Sequence, residues 1–370
     1  MDFRHVSAFI REHSVLVISA VLAVVSFLLT DDPVGSFASI DIRTLCILFC
    51  FMAAVAMMTG CGAFERIGSY LVSRTGVTRI LCLTPVLIPY VCSMFITNDV
   101  ALITFVPLAI GVLEGIGRRD LMVPVIILQT AAANLGSVIT PFGNPQNLYL
   151  FSRYDLTMQD FIHVLLPMVV VGTVMLVAIT LMTSRGSEKV AVSGRGSMSN
   201  RPALAVACIL FILCIATVVR VVPCWITLSI VVVCSLMAMP KALAGVDYGL
   251  LLTFVFLFLF TGNIASNPMI ADLLEGLMAW DPLTASALAS QFISNVPAAV
   301  LLSGFTEDWA GLLAGVDIGG FGTPIASMAS LISLKLYMGT DGADMGRFMT
   351  FFAGTNILMR AVLLAIYIMI

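Results

Sequence analysis

The sequence predicts an all-α polytopic membrane protein built from two inverted repeats, each with a re-entrant hairpin and a broken helix, making about nine full crossings. Three observations predict it. The 370-residue chain is 60% hydrophobic and 11% charged with a mean hydropathy of +1.08, whereas a soluble domain carries roughly 25% charged residues. Apolar runs close to the ~20 residues needed to cross a bilayer recur along the whole length. Clusters of Pro, Gly and Asn then interrupt those runs at matching places in the two halves, as in "NLGSVITPFGNPQN" at 134–147. In hydrocarbon a broken helix leaves backbone groups without partners, so a break survives only where it is enclosed or lines something.

In chain order, spans are expected at 15–30, 44–60, 80–115 as a pair of legs, 121–151, 161–183, 203–220, 224–239, 247–264, 283–305 as a second pair, 316–337 and 350–370. The first run has a signal-peptide-like core but no convincing small-residue cleavage site, so a retained helix is expected. With the N-terminus cytoplasmic, Arg4, Arg11, Arg66, Arg74, Arg79, Arg118, Arg119, Arg185, Lys189, Arg195, Arg201, Lys241, Lys335 and Arg347 fall inside. Only Arg43, Arg153 and Arg220 fall outside, a strong positive-inside bias that places the C-terminus externally. Arg360 alone sits mid-span. The polar stretch at 184–202 is the cytoplasmic linker, dividing a first repeat (1–183) from a connecting helix (203–220) and a second repeat (221–370).

The repeat is visible residue by residue. Thr59-Gly60 matches Thr261-Gly262, Thr97-Asn98 matches Ser294-Asn295, and Thr140-Pro141 matches Thr323-Pro324. Asn144 and Asn147 match Ser327 and Ser330 in spacing. Five crossings separate corresponding spans, and an odd offset inverts the second repeat. From Leu283 to Ile293 the first leg is too short, at ~1.5 Å per residue, to cross a ~30 Å core, so 283–305 should turn back as a hairpin. The legs of 80–115 are longer, and there the repeat argues for a hairpin.

Each break ends one helix and starts another, offering N–H groups to an anion and carbonyls to a cation. The breaks at 97–100, 140–147, 294–297 and 323–330 are expected to share one cavity. Substrate is assigned to Asn98, Asp99, Asn144, Asn147, Asn295, Thr323, Pro324 and Ser327. A coupling cation is assigned to Thr97, Asn98, Asp99, Gly136, Thr140, Ser294, Asn295 and Gly320. Asp99 is an acid at a hairpin tip, costly in a membrane unless paired, protonated or bound to a cation, and Arg360 is its candidate charge partner. Lys335 reads as a snorkelling residue.

Several classes are excluded. The nine cysteines form no C-x-x-C pair and there are three histidines, which argues against zinc, haem and Fe-S centres, so no cofactor is expected beyond Na+ or H+ as coupling ion. No Ser/His/Asp set or H-E-x-x-H motif suggests an enzyme, and nothing suggests nucleic-acid binding. Inverted repeats with interrupted helices are a recurrent transporter design; a channel lined by paired half-helices is the alternative of another class.

"TNDVALITFVPL", "ANLGSVITPFGNPQNLYL", "SNVPAAVLL" and "GGFGTPIASMAS" carry a resemblance to the ion transporter superfamily, which includes arsenite permeases, Na+/H+ antiporters and citrate and dicarboxylate carriers. The resemblance implies a scaffold that forms a homodimer in the cell membrane and a transport unit that moves like an elevator. The function expected is ion-coupled secondary transport of a small anion or oxyanion, with Na+ or H+ as the coupling ion and with Na+/H+ antiport or arsenite permeation as alternatives. In the dicarboxylate carriers each hairpin tip is Ser-Asn-Thr; here the tips are Thr97-Asn98-Asp99 and Ser294-Asn295-Val296, and the acid favours the arsenite and Na+/H+ branches over a dicarboxylate.

Overall fold

A computed structural model describes residues 14–28, 30, 35–73, 78–183 and 200–369; the N-terminal basic stretch and nearly all of the linker fall outside the described residues. These residues form α-helices and two short 3-10 turns, with no strand among them. The helices are α1 (Ser14–Ser26), α2 (Ile42–Gly60), α3 (Ala63–Ser73), α4 (Thr78–Cys92), α5 (Asn98–Gly115), α6 (Met122–Ser137), α7 (Pro145–Arg153), α8 (Met158–Thr183) and α9 (Arg201–Val218). There follow α10 (Cys224–Ala238), α11 (Lys241–Ala244), α12 (Tyr248–Ala265), α13 (Pro268–Trp280), α14 (Pro282–Ile293), α15 (Asn295–Leu302), α16 (Trp309–Gly319), α17 (Met328–Met338) and α18 (Met345–Met369).

Seven helices are long and apolar enough to cross a membrane, and shorter apolar helices accompany them. The chain is therefore an all-α polytopic membrane protein. Its lipid-facing surface is legible in exposed apolar residues such as Val24 on α1, Val174 and Met182 on α8, Ile209 and Ile212 on α9 and Ile357 on α18. In water such a surface would be an aggregation liability; in a bilayer it is the solvated face.

Four interruptions organise the interior. The 80–115 and 283–305 stretches fold as helix pairs, α4/α5 turning at 93–97 and α14/α15 turning at Ser294. The 121–151 and 316–337 stretches are each broken, α6/α7 by residues 138–144 and α16/α17 by residues 320–327. The legs α4 and α5 have 15 and 18 residues, against 12 and 8 in α14 and α15. All 16 residues of α6 are buried, so its unwound end is surrounded by protein rather than lipid.

Contacts repeat across the two halves. Helix α4 packs on α6 as α14 packs on α16, and α6 packs on α8 as α16 packs on α18. Each second hairpin leg packs on the terminal half-helix of the other repeat, α5 on α17 and α15 on α7. A second group, α2 with α9 and α10, and α1 with α12, packs mainly among itself and touches the first through contacts such as α12 on α15. The amphipathic helices α3 and α13, which carry exposed Ile67, Tyr70, Met269, Leu273 and Trp280, follow the two Thr-Gly pairs and were not foreseen from the apolar runs. Their length and one-sided apolar faces suit the membrane interface.

Candidate functional site

Four helices begin inside the protein, at Asn98 (α5), Pro145 (α7), Asn295 (α15) and Met328 (α17). Their N-caps are Thr97, Asn144, Ser294 and Ser327, all residue types that ordinarily bond back to the first turn. None of the four does so. By contrast Asp41, Asn200, Asp247, Asn267, Asp281 and Asp308 each cap their own helix with a side-chain hydrogen bond. The four interior helix starts therefore keep positive dipole ends that their own capping side chains leave unneutralised.

Each break is clasped to its hairpin in the same way. Thr140 Oγ1 donates to the Met94 carbonyl at 2.6 Å, and Thr323 Oγ1 donates to the Gln291 carbonyl at 2.9 Å. Met94 and Gln291 each lie four residues before a tip asparagine, Asn98 and Asn295. Gly136 lets α6 meet the turn: a Cβ there would lie 2.0 Å from the Tyr90 carbonyl oxygen. Gly319 allows the same approach against Ser290, at 2.6 Å. Gln291 completes the second clasp, its amide donating to the Gly319 carbonyl at 2.7 Å and accepting from Thr323 N–H at 2.9 Å.

Ser294 holds φ +71° and ψ 155°, a region that residues with a Cβ rarely adopt and that costs on the order of 1–3 kcal/mol. The cost is met locally. Asn295 N–H donates to the Ala326 carbonyl at 3.0 Å and Ser294 Oγ donates to the same oxygen at 3.3 Å. The strained tip is thereby fixed to the break opposite.

At the interface of the halves Asn134, on α6, joins both. Its Oδ1 accepts from Asn98 Nδ2 at 2.9 Å and from Ser327 Oγ at 3.2 Å, while its Nδ2 donates to the Gly320 carbonyl at 3.4 Å. On the other side Gln146 Nε2 donates to Asp317 Oδ1 at 3.2 Å. Asp317 is 3% exposed, and its Oδ2 has no hydrogen-bond partner.

A cavity of about 330 Å3 lies where the four starts meet, at the small end of the ~300–1,000 Å3 usual for ligand sites. Asn98 and Asp99, Pro145 and Gln146, Ser294 through Pro297, and Met328 line it, one group from each start. Asp247, Lys335 and the ends of α1 and α12 complete the wall. Asp99 Oδ1 is buried without a hydrogen-bond partner.

The structure thus brings Asn98, Asp99, Ser294 and Asn295 together in the cavity wall. Thr97, Asn144, Asn147 and Ser327 are not among the residues that line it, and Gly136, Thr140 and Gly320 belong to the breaks' packing. Thr323 and Pro324, expected at the substrate, instead lie off the cavity wall, Thr323 exposed and bonded into its clasp. Arg360 is corrected as partner of Asp99: no ion pair among the described residues includes it, and α18 packs on α6, α8 and α16 rather than on α5. The cation in the cavity wall is Lys335, read from the sequence as a snorkelling residue. Asn134, Gln146, Gln291 and Asp317 were missed, although Asn134 and Asp317 each precede a Thr-Pro pair by six residues.

The family model described as "Citrate transporter" matches residues 7–311. An uncharacterized transporter of Methanocaldococcus jannaschii is 28% identical over 338 residues, 91% of this chain and 92% of that one. Inner membrane protein YbiR of Escherichia coli is 31% identical over 323 residues, 84% of each chain. A silicon efflux transporter of Oryza sativa is 30% identical over 156 residues, 42% of this chain and 31% of its own length.

Proposed function

The chain belongs to the citrate transporter family, and from that premise we propose that it is an ion-coupled secondary active transporter of a small anion or oxyanion. One observation carries the reading: four helix starts whose capping side chains are withheld from the backbone converge on a single cavity. Such ends attract negative charge, and Lys335 adds to the attraction. Asp99 and Asp247 work against a multiply charged anion, so the cargo is small and carries low charge. The clasped hairpins and broken helices form the moving unit, and α2, α9 and α10 with α1 and α12 form the scaffold past which it moves.

The cavity wall includes Val15 and Leu16 of α1 and Asp247, Gly249 and Leu250 beside the start of α12. By the charge count those ends are cytoplasmic, so this conformation faces inward. The test is uptake and counterflow in proteoliposomes under imposed Na+ or H+ gradients. Saturable counterflow that is lost in Asn98→Ala and Asn295→Ala supports the reading; flux that ignores both gradients and does not saturate would identify a pore.

A second reading rests on the partnerless oxygen of Asp99, whose position in the cavity wall suits Na+/H+ antiport. In that case Asp99→Asn abolishes exchange. The partial likeness to a silicon efflux transporter keeps a neutral oxyacid among the cargoes to be assayed.

A further inference from the structure

We propose that the groove between α8 and α18 is a binding site for an acidic phospholipid, with the lipid phosphate on Arg347 and an acyl chain running down to Leu358. The two helices pack on each other and on α6. Between them lies a groove of about 510 Å3, lined by Ile179 and Thr183 of α8 and by Arg347, Phe351, Gly354 and Leu358 of α18. None of these residues lines the cavity described above.

Polarity changes along the groove as it does along a phospholipid. Arg347 is the third residue of α18, and α8 ends at Thr183 beside it. Leu358 lies 11 residues further on, which at ~1.5 Å each is ~16 Å, about half of a ~30 Å hydrocarbon core and so the depth of one leaflet. The wall below Arg347 is mainly apolar, through Ile179, Phe351 and Leu358. A Cβ on Gly354 would meet nothing within 4 Å, so a recess stands open on the face that carries Phe351 and Leu358. Water finds few partners in such a recess, and hydrocarbon fills it. By the charge count Arg347 is at the cytoplasmic surface, where anionic lipids give the leaflet its negative potential and basic pockets between helices take acidic head groups.

The mouth of the groove selects the head group. Arg347 Nη2 donates to the Asp120 carbonyl at 2.9 Å, which orients the guanidinium while engaging one of its five N–H donors. Acids close by are engaged elsewhere. Asp120 pairs with Arg118 and Glu114 with Arg119, while the Asp344 carboxylate accepts from the Arg347 main-chain N–H at 3.0 Å. No ion pair among the described residues includes Arg347. The Thr183 and Thr350 hydroxyls donate within their own helices, to the Ile179 and Gly346 carbonyls, so Arg347 is the donor left for a phosphate. A guanidinium meets phosphate oxygens in bidentate fashion. A zwitterionic head group brings its own cation to the same place and gains less.

The experiment titrates phosphatidylglycerol or phosphatidylcholine into the purified full chain in detergent and counts bound lipid by native mass spectrometry. Saturable binding that prefers phosphatidylglycerol is expected. Arg347→Gln should weaken phosphatidylglycerol about fivefold, the equivalent of the ~1 kcal/mol of one basic residue at a membrane surface, and leave phosphatidylcholine unaltered. Gly354→Leu, which fills the recess, should weaken both lipids. Gly111→Leu, at another glycine with open space around it, and Arg201→Gln, at another exposed arginine, should weaken neither. Equal binding of the two lipids, a preference that survives Arg347→Gln, or binding indifferent to Gly354→Leu overturns the proposal. So does displacement of the lipid by an equal concentration of inorganic phosphate, which would mean an anion site without an acyl chain, or a change of oligomeric state in Gly354→Leu, which would mean that a second copy of the chain covers the groove. The measurement uses no cargo and no ion gradient, so its outcome is separate from that of counterflow.

Discussion

Replacing Asn134 with Leu separates the role of the buried amide from that of its bulk. The side chain keeps a similar volume but loses three hydrogen bonds, to Asn98 Nδ2, Ser327 Oγ and the Gly320 carbonyl. Interhelical bonds in membrane proteins average ~0.6 kcal/mol each, because the unfolded chain in lipid also finds partners, so the loss is about 2 kcal/mol. That predicts a fall of a few degrees in Tm, with the protein still folded. Transport should suffer far more. Asn98 and Ser327 would no longer be tied across the halves, and misplacement of a binding group by about 1 Å can cost on the order of a hundredfold in rate. Tm in detergent and the initial rate in proteoliposomes are the two readouts, with Thr104→Val as comparator because Thr104 Oγ1 bonds only within its own helix, to the Val100 carbonyl. Ser327→Ala made on both backgrounds should be less than additive with Asn134→Leu. Additive losses, or a variant that transports like the wild type, would refute the idea that Asn134 couples the halves.

Gly136→Ala should be among the most damaging single methyl additions. Its Cβ would sit 2.0 Å from the Tyr90 carbonyl oxygen, and opening that contact to 3.4 Å separates α4 and α6 by about 1.4 Å, a strain of at least ~1–3 kcal/mol. Gly111→Ala, with nothing within 4 Å, should leave Tm unchanged or raise it through ~1 kcal/mol of helix propensity. Lys335→Gln should raise the apparent KM for an anionic cargo and leave Tm near the wild-type value, whereas Arg360→Gln should leave that KM unaltered. Removing the Arg220–Asp155 ion pair by Asp155→Asn, which keeps a residue type tolerant of the left-handed backbone at 155, should change stability by under ~1 kcal/mol, since Asp155 is largely exposed.

The breaks were readable because Pro, Gly and Asn are conspicuous against an apolar background, and Asn98 and Asn295 were readable because the same short pattern occurs twice. Residues that act across the repeats were not. Asn134 and Gln146 sit in or beside helical stretches where an amide looks like ordinary interhelical glue, and Asp317 sits in "GVDIGG", where neighbouring glycines give it the look of a loop. Lys335 lies near a span end, where snorkelling is the ordinary expectation, and only the packing of α17 against α5 brings it beside Asp99. Arg360 drew attention by its depth alone. Depth along a helix does not say which helix it faces, and α18 packs on α6, α8 and α16 rather than on α5. Helices α3 and α13 escaped notice because an interfacial helix shows a one-sided pattern rather than a continuous apolar run.

The two clasps explain why backbone breaks persist in so apolar a protein. An unwound segment in hydrocarbon would expose groups costing several kcal/mol each, yet here each break is closed by groups from its own hairpin. In the second half Gln291 alone engages the Gly319 carbonyl, the Thr323 N–H and, through its main chain, the Thr323 hydroxyl. In the first half Thr140 and the glycine approach at Gly136 do the equivalent work with fewer bonds. A hairpin and a break joined this way resist moving apart, because separation would strand polar groups on both sides. Relative motion is cheaper where contacts are apolar and side chains slide, as between Phe254 and Phe258 of α12 and Tyr149 of α7. Cross-linking that fixes α4 to α6 should therefore leave transport intact, whereas cross-linking α12 to α15 should stop it; the reverse result would mean that the breaks themselves open and close during the cycle.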